Sequence, residues 1–251
     1  KYLGLSRGIN VSRIQFTNYI LTSDIIGSSI FDKNKSTFEF HKGPIFGELI
    51  LADELNRAPP KTQSSLLQAM EERAISVEGK HFNLPKFFIV IATQNPHMQI
   101  GTYDLPESQL DRFSMKLQMG YADKESTISL LKDNDSAKNL EKVEKIISSE
   151  QILQLQSQIK EIHLDDALFE NIYKVLEHTR SRTDIIPLSN RCGIDLVNIS
   201  KSWAYLSNRD YVIPDDLFDI FPYVAGHRLV HPENSDINFE HKLAGQILSE
   251  L

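Results

Sequence analysis

Two apolar runs in the first hundred residues are continuous where a half-exposed strand would alternate, and a shorter strand-like run precedes them. They lie around Arg13-Ile14-Gln15-Phe16-Thr17, along Leu49-Ile50-Leu51-Ala52, and along Phe87-Phe88-Ile89-Val90-Ile91-Ala92. Apolarity of that kind is what strands of a parallel sheet covered on both faces require. Between the second and third runs, Pro59-Pro60 opens a stretch in which Leu66, Leu67 and Met70 recur at helical spacing. That pattern predicts a crossover helix entered through proline. Alternating residues from Ile75 to Leu84 flank Glu78-Gly79 and predict a β-hairpin; a second is expected between Ile30 and Ile45, around Asp32-Lys33-Asn34-Lys35.

After Gly120 the period changes. Ile152, Leu155 and Ile159, then Leu168, Ile172, Val175 and Leu176, then Ile194 and Val197 with Trp203 and Leu206, follow helical spacing. Pro214-Asp215-Asp216 predicts another helix start, with proline in the first turn and acids at the positive end of the dipole. The stretch Lys132 to Lys145 is rich in Lys, Asp, Asn and Glu and reads as a solvated segment. The expected organisation is an α/β core over residues 1–120 and an all-α domain over residues 121–251.

Composition narrows the function classes. The chain has 251 residues, 41% hydrophobic and 24% charged, enough for one or two packed domains. Its 27 basic and 34 acidic residues give a net charge of -7, so no overall basic field gathers phosphodiester backbones and nucleic acid is disfavoured as a partner. The single cysteine, Cys192, forbids an internal disulfide. No run is long enough to span a bilayer, and no signal-peptide pattern opens the chain, so a cytoplasmic protein without membrane insertion is expected. Histidine-based and serine-nucleophile chemistry lack their sequence patterns, His-Glu-x-x-His and Gly-x-Ser-x-Gly.

The strand ends carry the candidate chemistry. The second run ends in the adjacent carboxylates Asp53-Glu54 and the third in Thr93-Gln94-Asn95-Pro96. Acids where a strand surfaces can simply meet water. In an open parallel sheet, however, ligands bind outside the carboxyl ends of the strands. There one acid can hold Mg²⁺ while its neighbour orients an attacking water, and an asparagine on the adjacent strand can hold that water or a phosphate oxygen. Arg112 lies next to Asp111, and a local ion pair is one use for it.

Longer strings are more specific. Arg13 to Thr17, Gly43 to Phe46, Ala52-Asp-Glu-Leu-Asn-Arg-Ala-Pro-Pro-Lys-Thr-Gln63, Ala92-Thr-Gln-Asn-Pro96, Gly101-Thr-Tyr103 and Leu105-Pro-Glu-Ser-Gln-Leu-Asp-Arg-Phe113 resemble the MoxR branch of the AAA+ ATPases over nearly the whole chain. The resemblance implies an AAA+ parallel-sheet core with β-hairpin inserts, followed by an all-α lid domain. It implies ATP and Mg²⁺ as cofactors, with Asp53 and Glu54 as the Walker B pair: Asp53 at the metal and Glu54 polarising water. Asn95 matches sensor 1, Arg112 the arginine finger that reaches a neighbouring subunit's nucleotide, and Arg191 the sensor 2 residue of the lid. Relatives usually have Ser-Pro-Arg where this chain has Ser189-Asn190-Arg191, and Asn can take over a helix start as a cap. The two hairpins fall where this branch carries inserts that act on a partner or a ring pore. A homo-oligomeric, hexameric ring is implied, acting on a protein client or with a von Willebrand factor A domain partner.

One expected part is missing from the sequence. A phosphate-binding loop ending Gly-Lys-[Ser/Thr] should precede the strand near Arg13, yet the only Gly-Lys pair, Gly79-Lys80, is followed by His81. By resemblance that loop lies ahead of Lys1, so the core is expected to be truncated at its N-terminus and inactive by itself. A non-enzymatic scaffold on the same fold is the alternative. A helicase-like nucleic-acid motor is disfavoured by the acidic composition.

Overall fold

The computed structural model describes residues 8–94, 101–132, 147–230 and 236–250. They divide into two compact units. One comprises the chain up to residue 104 together with residues 122–153, the other residues 105–121 together with residues 154–251.

The first unit runs through β1 (Val11–Gln15), α1 (Thr22–Ile26), β2 (Gly27–Asp32), β3 (Thr37–Lys42), β4 (Leu49–Asp53), α2 (Pro60–Glu72), β5 (Ala74–Val77), β6 (Lys80–Asn83) and β7 (Ile89–Ala92). A parallel sheet of order β1-β4-β7 forms its base, with Val11 opposite Leu49 and Leu49 opposite Ile89. The central strand β4 is the most enclosed: Leu49, Ile50 and Ala52 are buried. Strand β1 starts two residues before the expected run, and Phe16, beyond its end, is fully buried while its amide donates to the Asp53 carbonyl at 2.9 Å. Strand β7 departs from two-sided burial, since Ile89 and Ile91 are 43% and 39% exposed. The apolar character of that run is used instead by Phe87 and Phe88, which are buried ahead of the strand. Helix α2 starts at Pro60, where a missing amide costs nothing, and buries Leu66, Leu67 and Ala69.

Both hairpins form. In β2–β3 the carboxylate of Asp32 accepts the Asn34 amide at 2.8 Å, closing the turn. At its base Gly27 has φ 105°, and a Cβ there would stand 2.1 Å from the His41 carbonyl oxygen, so only glycine fits. Phe40 of β3 packs on Phe82 of β6 at 4.6 Å between ring centres, and Ser29 donates to Glu78 at 2.9 Å. These contacts tie the two hairpins together.

The remaining helices are α3 (Glu107–Leu110), α4 (Lys124–Lys132), α5 (Ser149–Lys160), α6 (Asp166–Ser181), α7 (Asn190–Leu206), α8 (Pro214–Leu229) and α9 (Ile237–Ser249). Helix α4 belongs to the first unit; α3 and α6 to α9 belong to the second. The core of the second unit joins Leu168, Ile172 and Leu176 to Leu196, Phe221 and Val224, each such side chain contributing about 1.5–3 kcal/mol when buried. Gly193 lets α7 approach α6 closely, because a Cβ there would lie 3.1 Å from a Leu176 methyl. The inward stripe of α7 differs from the one its large apolar residues suggest. Ile194, Trp203 and Leu206 are 62%, 42% and 74% exposed, whereas Cys192, Leu196, Ser200 and Ala204 are buried. Leu196 and small residues line the close packing, and Ile194, Trp203 and Leu206 face outward. Most of Lys132 to Lys145, the segment expected to be solvated, lies outside the described residues.

Candidate functional site

Asp53 is the last residue of β4, and Glu54 follows it in the left-handed conformation, φ 55° and ψ 48°. A non-glycine residue there costs about 1–3 kcal/mol unless its surroundings over-determine it. Thr93, just past β7, supplies the restraint. Its amide donates to the Ala52 carbonyl at 2.9 Å, its Oγ1 accepts the Glu54 amide at 3.0 Å, and its carbonyl accepts the Leu55 amide at 2.9 Å. Three hydrogen bonds on adjacent strand ends thus hold the turn that projects the Glu54 carboxylate.

Each acid has a local cation. Arg13 Nε lies 2.5 Å from Asp53 Oδ2, and Arg57 Nη1 lies 3.2 Å from Glu54 Oε2. Two adjacent carboxylates would otherwise repel, so flanking guanidinium groups offset that repulsion. Behind them Gln63, fully buried on α2, donates from Nε2 to the carbonyls of Ala58 and Tyr103 at 3.0 and 3.2 Å. It fixes the loop that follows Glu54. Thr93, Gln63 and Arg13 all lie within the strings that carry the resemblance, but spacing alone gave no reason to single them out.

The donor set suits Mg²⁺. A hard cation of this size takes oxygen ligands, often only one or two carboxylates, with phosphate and water completing its octahedron. Asp53, 15% exposed at its side chain, presents such a carboxylate at a strand end. Among the described residues, no group of three or more His, Cys, Asp and Glu forms a closed metal cage. Asn95 lies outside the described residues.

Arg112 and Arg191 are both in the second unit. Arg112 sits in the turn closing α3, where its amide donates to the Gln109 carbonyl at 3.2 Å. Arg191 is in the first turn of α7. The cap of that helix is Ser189, whose side chain accepts the Cys192 amide at 3.2 Å. The residue expected to cap, Asn190, instead lies inside the helix and accepts from Arg180 at 2.7 Å. Between the two arginines stands Asp111. Its carboxylate accepts from Ser189 Oγ at 2.9 Å, meets Arg228 Nε at 3.0 Å and lies 3.7 Å from Arg191. Burial pushes the neighbouring Cys192 thiol up to about 11, which keeps it neutral and places it with the core.

Residues 1–115 match the family described as "ATPase family associated with various cellular activities (AAA)", and residues 186–251 match the AAA lid domain. The uncharacterized protein YeaC of Bacillus subtilis is 41% identical over 233 residues, covering 92% of this chain and 73% of that protein. The chaperone MoxR1 of Mycobacterium tuberculosis is 35% identical over 233 residues, covering 89% of this chain and 61% of its own length. A crystal structure of a candidate ATPase from Cytophaga hutchinsonii superposes with a TM-score of 0.87 at 33% identity, covering all of this chain and 79% of that one.

Proposed function

The chain belongs to the MoxR branch of the AAA+ ATPases, and from that membership we propose that the protein is an ATP-hydrolysing, chaperone-like motor that remodels a protein client. The observation that carries this reading is the strained, triply braced turn at the end of β4, where Glu54 stands next to Asp53. The left-handed conformation of Glu78 only turns a hairpin, whereas Glu54 is braced from the neighbouring strand end beside a second carboxylate, and water activation needs a carboxylate fixed in place.

In this reading Asp53 would hold a Mg²⁺ ion, which would supply charge neutralisation at the triphosphate. Glu54 accepts a hydrogen bond from the attacking water and orients it. Asn95 fixes the same water or a phosphate oxygen. Arg191 binds phosphate within its own subunit, and Arg112 reaches the nucleotide of the next subunit in a hexameric ring, where a guanidinium offsets transition-state charge. No Gly-Lys-[Ser/Thr] phosphate loop occurs among the 251 residues, and by themselves they are expected to hydrolyse ATP negligibly. The protein works in the cytoplasm with a client or a partner bearing a von Willebrand factor A domain. Among the described residues no helix is long and apolar enough to cross a membrane.

The test is steady-state ATP hydrolysis by the full-length protein beside Glu54→Gln. A fall in kcat of about 100-fold or more with nucleotide still bound is expected. Equal rates in the two proteins, or none in either, would favour an interaction scaffold on the same fold.

A further inference from the structure

Arg228 is only 3% exposed at its side chain, near the end of α8, yet it carries a full charge. A guanidinium so placed must be paired, because an uncompensated buried charge is strongly unfavourable. Its partners come from two places that the proposed mechanism uses. From the turn that carries Arg112 come the Asp111 carboxylate at 3.0 Å and the carbonyls of Asp111 and Phe113 at 2.9 and 3.1 Å. From α7 comes Asp195 at 2.6 Å, which also accepts from Ser114 at 3.1 Å. Ser189 closes the circuit: it caps α7 through the Cys192 amide and donates to Asp111.

We infer that Asp111 and Arg228 are positioning residues that lock the turn carrying Arg112 to the first turn of α7 carrying Arg191. Every group in this circuit serves two others, so neither turn can shift without stranding a buried charge or a helix cap. The two arginines therefore move as one body. This rests on the roles given to Arg112 and Arg191 above. Since Arg191 senses phosphate in its own subunit and Arg112 acts on the neighbour's, the lock makes nucleotide binding in one subunit govern hydrolysis in the next. Side-chain packing alone would not call for this arrangement; a hydrophobic pair of similar volume would fill the space without fixing an angle.

The experiment uses the full-length protein with Asp111→Asn, Arg228→Met, Arg228→Lys and Arg112→Ala. Hydrogen exchange by mass spectrometry is read for residues 105–117 and 188–195, and ATP hydrolysis is fitted for kcat, KM and the Hill coefficient. Expected in Arg228→Met are faster exchange in both segments together, a kcat lowered roughly 10- to 100-fold with KM held within about twofold, and a Hill coefficient reduced toward one. Arg228→Lys keeps the charge but not the fork, and should recover part of the rate. A merely structural role would lower the unfolding midpoint and the amount of nucleotide bound, leaving kcat per bound nucleotide and the Hill coefficient unchanged. Exchange rising in one segment without the other overturns the lock, whatever the rates. Exchange rising in both with kcat and the Hill coefficient intact in Arg228→Met, while Arg112→Ala lowers kcat, overturns the positioning role. Hydrolysis indifferent to both Arg112→Ala and Glu54→Gln identifies the functional reading itself as the part that failed, and the positioning role falls with it.

Discussion

Arg13 reaches diagonally across the β1–β4 pairing to Asp53, its Nε 2.5 Å from Oδ2, although the residue directly opposite Asp53 is Gln15. Residues two apart on a strand share a face, so Arg13 and Gln15 both border the acid. The guanidinium stands where a divalent cation would compete for the same carboxylate. Replacing Arg13 with Met should therefore increase the rise in unfolding midpoint on adding Mg²⁺, by the equivalent of about 0.5 kcal/mol, the scale of an exposed ion pair. Thermal scans with and without Mg²⁺ measure it, and Asp53→Asn should abolish the effect in both backgrounds.

The conformation of Glu54 predicts a trade of stability against activity. Asparagine tolerates the left-handed region better than glutamate does. Glu54→Asn should leave the first unit as stable as before or more stable by up to about 1 kcal/mol, read from urea unfolding, while hydrolysis in the full-length protein is lost. A destabilised Glu54→Asn would mean that the Arg57 contact, and not the backbone, dominates at this position.

Gln63 supports the site from behind. Gln63→Leu keeps the volume but leaves the carbonyls of Ala58 and Tyr103 without their donor. A loss of about 1–3 kcal/mol is expected, the cost of unsatisfied buried acceptors. Amide exchange should quicken first at Arg57 and Ala58, whose amides close the turn after Glu54.

His227 gives the second unit an acid sensitivity with a defined sign. Burial first, and the adjacent Arg228 charge next, push its value from 6.5 down to about 3. The native state keeps the imidazole neutral while the unfolded chain takes up a proton below 6.5, so the contribution is complete above 6.5 and declines as pH falls toward 3. Urea unfolding should weaken by up to about 1.4 kcal/mol per pH unit across that window. His227→Gln should flatten the dependence. Asp216 acts lower down: burial opposes its charge, but Arg209 and the Ile213 amide together hold it below its ordinary 3.8, so its share is lost only beneath that value.

Much of this protein was legible in residue order. Continuous apolar runs, a proline-led helix and two turn-flanked alternations specify β4, α2 and both hairpins because each rests on local periodicity and turn chemistry. The acids at the end of β4 were equally visible, since an abrupt change from buried to charged residues marks a strand surfacing. Local signals could not decide which stripe of α7 faces inward. There Cys192, Leu196 and Ala204 are chosen over Trp203 and Leu206 by how closely α6 approaches Gly193.

The Asp111 circuit lies further still from sequence reading. Its members are separated by up to 117 positions, and no spacing rule connects Arg228 to a turn at residues 111–113. What the chain order alone determined is which elements form and where their charged ends emerge, since those depend on neighbours in sequence. Tertiary packing alone decided that Asp53 meets Arg13 and Asp111 meets Arg228, because an enclosed charge takes its partner from whatever the fold brings within about 3 Å.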